Sequence, residues 1–190
     1  MPPKVKITKN DIIQATLDLI RKEGAGALNA RNIATALGCS TQPIFSNFAT
    51  MEELHGAVTK AAYRLYLDFS KREEESGKYP QYKSMGMAYI GFAKEEKELF
   101  KLLFMCDRSG KDQTPTVEFE AVVEMISKSL GITRESAQLM HLEMWTCVHG
   151  IGTMIATSFF ELEEELISEI LTDVYQGTRA RFLSKENLSQ

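Results

Sequence analysis

The sequence predicts an all-α protein with about nine helices. Apolar residues recur at three- and four-residue spacing along almost the whole chain, which is the period of helices that bury one face. Sustained alternation of apolar and polar residues is missing, and so are Asn-Gly and Asp-Gly hairpin turns. The 190 residues, 44% of them hydrophobic, can bury a substantial core, so we expect one domain or a small domain joined to a larger one.

Capping residues define the first two helices. Thr8 and Asp11 have the spacing of a capping box, so a helix is predicted to begin at Thr8 and to end at Gly24. Asn29 is a favourable N-cap for a second, shorter helix. Gly38 is expected to end that helix, because glycine has the backbone freedom that a tight turn needs.

The next two helices follow after a short turn. Ser40 is predicted to cap the third helix, which tolerates Pro43 because a first-turn amide has no helical partner. Ile44 and Phe48 lie four residues apart and are expected to face the core. Residues 50–53 have the pattern of a capping box for a long fourth helix. Its predicted buried stripe consists of Leu54, Val58, Ala61, Leu65 and Phe69.

Five further helices are predicted beyond Gly77 and Pro80. Their ranges are 81–93, 96–105, 116–130, 133–160 and 163–183, with a loop rich in helix breakers over 107–115. The fourth helix is therefore expected to connect an N-terminal unit to a larger helical body.

Residues 28–48 have the pattern of a helix-turn-helix, in which a tight turn joins two short helices and the second enters the major groove of DNA. Small or polar side chains are expected on the exposed side of the second helix. Gln42 and Asn47 carry donors and acceptors that can read base edges, and Thr41 can bond a base or a phosphate. The alternative is a three-helix packing unit that binds nothing.

The charge distribution supports the DNA-binding interpretation. Residues 1–50 hold six Lys and Arg against three Asp and Glu, a net of +3, whereas the whole chain is at −4, which leaves −7 for residues 51–190. A basic head on an acidic body is expected when only the head approaches phosphates. Lys4, Lys6 and Lys9 place part of that positive charge on an N-terminal arm.

The run Leu-x-x-Arg-x-Ile-Ala-x-x-Leu-Gly-x-Ser over residues 28–40, with the aromatic pair that ends the third helix, resembles the tetracycline-repressor (TetR) family of transcriptional regulators. The resemblance covers residues 8 to about 60. It implies that Arg31 touches phosphate or base, that residues 41–43 lie in the groove, and that Phe45 and Asn47 contact the DNA backbone. The predicted DNA-binding residues are therefore Lys4, Lys6, Asn29, Arg31, Ser40, Thr41, Gln42, Pro43, Phe45, Ser46 and Asn47.

Three positions depart from the family pattern. The family usually has Tyr where Phe45 stands, often His where Asn47 stands, and Lys where Met51 stands. Without the phenolic hydroxyl and the ammonium group, two phosphate contacts cannot form. We therefore expect weaker or differently distributed phosphate binding, with more of it provided by Arg31 and the N-terminal arm.

In TetR-like proteins the body binds a small molecule and dimerises through its last two helices, so the resemblance implies a homodimer and an effector here. Residues 139–154 mix bulky apolar side chains with Gly150 and Gly152, which allow another helix to approach closely. Trp145, His149 and Gly150 also resemble the Trp-His-Gly signature of one TetR subgroup. Because Met side chains fit irregular ligands, a pocket is predicted from Phe92, Phe100, Phe104, Met105, Met125, Met140, Met144, Trp145 and His149, with plain core as the alternative.

His141 and His149 lie on one helical stripe with Trp145. Eight residues separate the two histidines by about 12 Å along a helix, so they cannot share one metal ion within a chain. They are expected either to contact a ligand or a dimer partner, or to be core histidines bonded to a neighbouring helix. The cysteines Cys39, Cys106 and Cys147 lack CxxC spacing, which predicts buried or half-buried free thiols and no metal site.

These features favour a ligand-responsive DNA-binding regulator, most simply a repressor released from its operator by a small apolar or amphipathic effector. We expect a DNA-binding domain over 1–55 and a ligand-binding and dimerisation domain over 56–190, with no cofactor and no catalytic activity. The N-terminus lacks the apolar core of a signal peptide, and no apolar stretch approaches the roughly 20 residues of a membrane span, so a cytoplasmic location without a membrane partner is expected.

Two rival hypotheses stay open. The first is a constitutive DNA-binding regulator that has no effector. The second is a helical enzyme that uses His141 or His149 as a general base, although the sequence places no nucleophile or Gly-rich phosphate loop beside either residue.

Overall fold

The computed structural model describes residues 7–107, 109 and 117–187. Within these residues the chain forms nine α-helices and one short 3₁₀ turn at Ala25–Ala27, without a strand, which confirms the all-α prediction. The helices are α1 (Lys9–Glu23), α2 (Ala30–Ala36), α3 (Gln42–Asn47), α4 (Met51–Glu75), α5 (Gln81–Glu95), α6 (Lys97–Phe104), α7 (Val117–Leu130), α8 (Arg134–Ala156) and α9 (Glu164–Asn187).

The chain divides into two compact units. The first comprises Met1–Phe69 and Phe92–Cys106, and the second comprises Ser70–Gly91 and Asp107–Gln190. Helices α4 and α5 therefore contribute residues to both units. The functional division at residue 55 stays a prediction.

The first helix begins and ends as its sequence predicts. The amide of Asp11 donates to the Thr8 hydroxyl over 3.2 Å, and the Thr8 amide donates to the Asp11 carboxylate over 2.8 Å, so the capping box is complete. Gly24 adopts φ +81°, which L side chains rarely adopt. A Cβ at this position would also lie 3.1 Å from a carboxylate oxygen of Glu98, so the end of α1 requires glycine for two reasons.

Helix α2 begins after Asn29, whose side-chain oxygen accepts from the Asn32 amide over 3.0 Å, as predicted. Helix α3 begins at Gln42, and the prediction of a Ser40 cap is wrong. Thr41 is the N-cap but already has helical dihedral angles, and its side chain makes no capping bond. The first turn closes through the Ile44 amide and the Thr41 carbonyl at 3.1 Å, and Pro43 removes one amide that would otherwise need a partner.

The predicted start of α4 is confirmed, with one difference in its capping box. The Glu53 amide donates to the Thr50 hydroxyl over 3.1 Å, but the Glu53 carboxylate accepts from the Ala49 amide over 2.7 Å rather than from Thr50. Of the predicted stripe, Leu54, Val58 and Phe69 are buried. Ala61 and Leu65 are only half-buried and Ala62 is buried instead, because a 25-residue helix of 3.6 residues per turn drifts out of a strict repeat.

In the first unit, α1 packs against α2, α3 and α6. The Arg21 guanidinium forms a two-point contact with Glu96, with Nε and Nη2 at 2.9 and 2.8 Å from the two carboxylate oxygens, and the pKa of Arg21 is raised mainly by that hydrogen bonding. Aromatic rings form a further cluster, in which Tyr66 meets Phe92 and Phe104 edge to face and Phe69 meets Phe92 in the same way. Phe100 packs on Phe104 at a tilt of 53°.

In the second unit, α8 packs against α7 and α9. The core joins α7, the start of α8 and the end of α9, and it contains Val122, Val123, Ile126, Ile132, Ala137, Met140 and Phe182. Helix α5 lies against α8 and α9 at Gly86, where a Cβ would be 3.2 Å from Val148 and 3.4 Å from Leu171.

Helix α8 ends at Ala156, so its predicted extension to Phe160 is wrong. Ser158 adopts φ +56°, and the amides of Ser158 and Phe159 donate back to Ile155 and Met154, both over 2.9 Å. This is the hydrogen-bond pattern of a Schellman end, which glycine usually supplies. The sequence lacks glycine at this position, so a local pattern does not predict the end of the helix there.

Candidate functional site

Helix α3 presents a polar face and an apolar face. Ile44 and Phe48 are buried, at 0% and 2% exposure, as predicted. The exposed side consists of Thr41, Gln42, Phe45 and Ser46, with Pro43 half-buried at the edge. The side chain of Phe45 is 50% exposed, which is unusual for a residue of its size.

Two residues of this helix already have partners within the chain. The Ser46 hydroxyl donates to the Gln42 carbonyl over 2.9 Å. The Asn47 amide nitrogen donates to the Pro43 carbonyl over 2.8 Å and to the Ile7 carbonyl over 3.2 Å. Asn47 is half-buried and bonds Ile7, the residue before the N-cap of α1. Its predicted role as a DNA contact stays a prediction.

Helix α3 and its neighbours in sequence carry no formal charge. The sequence has no Lys, Arg, Asp or Glu between Arg31 and Glu52. Arg31 is exposed on α2 and forms no ion pair with the described residues. Lys9 is engaged, because its Nζ lies 3.1 Å from the Glu53 carboxylate and 4.9 Å from the centre of the Phe48 ring.

The other predicted DNA contacts have mixed surroundings. Asn29 is exposed, but its side-chain oxygen caps α2 and its amide nitrogen donates to the Ala27 carbonyl over 3.3 Å. Ser40 is exposed. Lys4 and Lys6 lie outside the described residues. Of the predicted contacts, those whose side chains are exposed and make no capping bond and no bond within α2 or α3 are Arg31, Ser40, Thr41, Gln42 and Phe45.

The residues of the predicted pocket are divided between the two units. In the first unit, Phe92 and Phe100 are core residues, at 1% and 0% exposure, while Phe104 is half-buried and Met105 is 40% exposed. The remaining members lie in the second unit, where Met140 and Met144 are buried and Met125 is half-buried against the core. The predicted pocket as a whole therefore stays a prediction.

Both histidines of the α8 stripe bond a tyrosine of α5. Nδ1 of His141 lies 3.0 Å from the Tyr82 hydroxyl, and Nδ1 of His149 lies 2.8 Å from the Tyr89 hydroxyl. Both histidines therefore bond a neighbouring helix, and a contact of either with a ligand or a dimer partner stays a prediction. Trp145 is 40% exposed and stacks on His149 at an interplanar angle of 10°, with ring centres 6.1 Å apart.

Burial changes the titration of the Tyr82–His141 pair. It lowers the pKa of His141 and raises that of Tyr82 well above its ordinary value. The rings of Phe119 and Tyr82 lie 4.9 and 5.9 Å from the His141 ring. These shifts favour a neutral imidazole and a neutral phenol, so the Tyr82 hydroxyl can donate a hydrogen bond to Nδ1 of His141 in a largely aromatic environment.

An apolar groove in the second unit was not predicted from the sequence. It runs along the C-terminal half of α8 and the start of α9, and its lining residues are Thr146, Cys147, Gly150, Ile151, Met154, Phe160, Leu162 and Ile170. Its lining residue Phe160 is 50% exposed and meets the neighbouring Phe159, which is 72% exposed, edge to face. The available signal in the sequence is Gly150, which permits close approach of another group to α8.

The three cysteines are free thiols, but only two are half-buried as predicted. Cys106 is exposed, because it follows the end of α6 and no longer shares the buried face of that helix. Burial raises the pKa of the Cys147 thiol. Within the described residues, no three His, Cys, Asp or Glu side chains are grouped so that they could hold a metal ion.

No family model and no curated protein matches this sequence. Among solved structures it is similar to a TetR-like transcriptional regulator from Rhodococcus sp. RHA1, with 15% identity over 93% of this chain and 96% of that chain and a TM-score of 0.66. The fold is that of a TetR-like regulator. Among the described residues, no helix is both long and apolar enough to cross a membrane.

The His141 environment makes stability depend on pH in a defined direction. Its folded-state pKa lies below the ordinary value of 6.5, so the unfolded chain binds more protons between those two values. The free energy of unfolding should therefore fall as the pH drops through this window.

Urea unfolding at several pH values should show a weaker pH dependence of the free energy of unfolding for His141→Gln than for the wild type. The exposed-site variant His55→Gln is the control and should keep the wild-type dependence, and an unchanged profile for His141→Gln would contradict the assignment.

Proposed function

We propose that this protein is a transcriptional regulator that binds operator DNA as a homodimer, acts as a repressor, and is released by a small apolar or amphipathic effector. The observation that carries DNA binding is the exposed, uncharged polar face of α3, together with an exposed Arg31 on α2 that has no ion-pair partner among the described residues. The similarity to a TetR-like transcriptional regulator over almost the whole chain supports the same conclusion. Such a protein would act in the cytoplasm, where operator DNA is accessible.

In the proposed complex, α3 lies in the major groove. The Gln42 carboxamide can make a two-point contact with an adenine edge, and the Thr41 hydroxyl can bond a base or a phosphate. Arg31 can contact the negatively charged phosphates of the DNA backbone. A two-fold dimer would place one α3 in each half-site, so the operator should be near-palindromic with half-site centres about 34 Å apart.

Arg31 and Gln42 should affect DNA binding in different ways. Fluorescence anisotropy with duplexes from the DNA flanking the gene should show binding that weakens with salt. Arg31→Ala should reduce the slope of log K against log salt by about 0.9 for each phosphate that the arginine neutralises, for any DNA sequence. Gln42→Ala should lower affinity for the operator by about 5- to 150-fold and leave affinity for mixed-sequence DNA unchanged.

Lys22→Ala is the matched control for Arg31→Ala, since Lys22 is an exposed cation of the same unit whose nearest ionic contact is 4.0 Å away. It should leave the slope unchanged. The proposed function fails if the wild-type protein shows no salt-sensitive binding to flanking DNA or to sequences selected from a random pool.

Dimerisation is supported by an unpartnered surface on α8 and α9. On α8, Leu139 and Leu142 are 45% and 51% exposed, and Gly150 lies on the same helical stripe. On α9, Leu166 is 45% exposed, and Gly177 follows on its stripe. A Cβ at either glycine would meet nothing within 4 Å, so the described chain itself does not require glycine there. Glycine within a helix costs roughly 0.5–1 kcal/mol relative to alanine, and close contact with a second copy would explain its presence.

Gly177→Leu should separate the fold of one chain from its self-association. The new side chain has room in the single chain but would obstruct a closely packed seam. Sedimentation velocity should show a dimer for the wild type and a shift towards monomer for Gly177→Leu, with circular dichroism unchanged. Gly56→Leu is the control, because Gly56 is equally open but lies on α4 in the first unit. A dimer that tolerates Gly177→Leu would exclude this seam.

An effector is supported by features of the second unit. Three buried hydroxyls there have no hydrogen-bond partner among the described residues, namely those of Ser70, Ser84 and Thr153. A buried hydroxyl without a partner costs about 1–3 kcal/mol. A ligand with an apolar body and one polar group could satisfy one of them.

Trp145 is the sole tryptophan of the sequence, so its fluorescence reports on this region directly. A screen of small apolar and amphipathic compounds should find one that changes this emission, raises the melting temperature and lowers DNA affinity. Thr153→Val should weaken its binding about tenfold, a change of about 1.4 kcal/mol. Thr157→Val is the control, because that hydroxyl is exposed and already donates to the Thr153 carbonyl over 2.7 Å. If no compound has these effects, the constitutive regulator is favoured.

A further inference from the structure

Phe45 is the exposed large apolar side chain of α3. Its exposure is 50%, whereas Ile44 and Phe48 are buried at 0% and 2%. Large apolar side chains of folded proteins are more often buried, so an aromatic ring left half in water on a face that is otherwise polar is informative. About half of the ring surface is therefore available to a partner of this helix.

The ring lies between Thr41 and Gln42 on the helical surface. At 3.6 residues per turn, Phe45 is about 40° from Thr41 and about 60° from Gln42 in projection, one turn further along α3. The Phe45 amide donates to the Thr41 carbonyl over 3.3 Å, as in a regular helical turn. The hydroxyl of Ser46, which is also exposed, already donates to the Gln42 carbonyl. Thr41, Gln42 and Phe45 therefore form one surface, in which two polar side chains flank an aromatic ring.

A phenylalanine ring cannot make the hydrogen bonds by which polar side chains bind DNA. It has no donor for a phosphate oxygen and no donor or acceptor for the polar atoms of a base edge. The apolar group that the major groove offers is the C5 methyl of thymine, which suits contact with a Phe ring. This methyl group is therefore the part of the groove that fits the exposed ring.

The spacing along α3 agrees with such a contact. Three residues of helix place Phe45 about 4.5 Å beyond Gln42 along the axis, close to the roughly 3.4 Å between successive base pairs. With Gln42 at an adenine edge, the Phe45 ring can reach the thymine of that base pair or of its neighbour. The two side chains would then read adjacent features of the same groove.

We propose that Phe45 is a specificity-determining residue whose ring packs against a thymine methyl group in each half-site of the operator. This inference rests on the proposed DNA-binding function. It differs from the backbone contact that the family resemblance implies for Phe45, because a backbone contact raises the affinity for every sequence alike. A methyl contact raises the affinity only for DNA that carries the methyl group at one position.

Modified duplexes test the methyl group directly with the wild-type protein. In a duplex that the wild type selects from a random pool, each thymine is replaced in turn by deoxyuridine, which lacks only the methyl group. At the contacted position, affinity should fall about fourfold per half-site, the effect expected when one CH₂-sized group is no longer buried. With cytosine and guanine at that base pair, 5-methylcytosine should bind about fourfold more tightly than cytosine, because it restores the methyl group at the same place.

Phe45→Ala assigns the methyl dependence to the ring. Thymine and deoxyuridine duplexes should bind this variant equally, because alanine is too short to replace the ring. Phe45→Ser is the second variant and should give the same result, with circular dichroism and the melting temperature verifying that each variant is folded. Leu67→Ala is the matched control and should keep the wild-type difference, because Leu67 is 45% exposed in the same unit but lies on α4.

Equal affinity of the wild type for every thymine duplex and its deoxyuridine counterpart would overturn the proposal, and a uniform loss of affinity in Phe45→Ala would then indicate the backbone contact. A methyl dependence that both Phe45 variants retain would also overturn it, since the effect would come from another residue or from the shape of the DNA. In both cases, salt-sensitive binding by the wild type would leave the proposed function intact. A wild-type protein that binds no DNA would overturn the inference and the proposed function together.

Discussion

The burial of Ile44 and Phe48 is the constraint on which the proposed DNA-binding surface depends. Helix α3 has six residues, and isolated helices shorter than about 12–15 residues are marginal in water. It is therefore stable only because these two side chains are buried, each contributing roughly 1.5–3 kcal/mol of apolar transfer free energy. The exposed face, which contains Thr41 and Gln42, is held in a helical conformation by the opposite face.

Features set by neighbouring residues could be predicted from the sequence. The caps at Thr8 and Asn29 depend on hydrogen bonds that span three residues, and both are present. The starts and ends that depend on unusual backbone could not be predicted in the same way. Thr41 begins α3 without a side-chain cap, and Ser158 ends α8 in a conformation that glycine normally adopts. A local pattern carries no signal for either.

The candidate site shows the same distinction between features set by neighbouring residues and features set by distant ones. The helical period correctly separated the buried Ile44 from the exposed Gln42, but the bond from Asn47 to Ile7 joins residues forty positions apart and is invisible to periodicity. The histidines of α8 were recognised as a stripe, while their tyrosine partners lie 59 and 60 residues away on α5. Apolar composition likewise could not distinguish a core residue such as Phe100 from a pocket residue, because both require the same side chain.

The absence of charge on α3 affects how the proposed regulator would distribute between its operator and non-specific DNA. A regulator meets a genome of some 10⁶–10⁹ non-specific positions, and its occupancy of one operator depends on the ratio of specific to non-specific affinity. Charge raises both affinities together, whereas hydrogen bonds to base edges raise only the first. In the proposed complex, a recognition helix whose neighbours from residue 32 to residue 51 carry no formal charge would leave little protein bound to non-specific chromosomal DNA. Few copies per cell would then suffice for control.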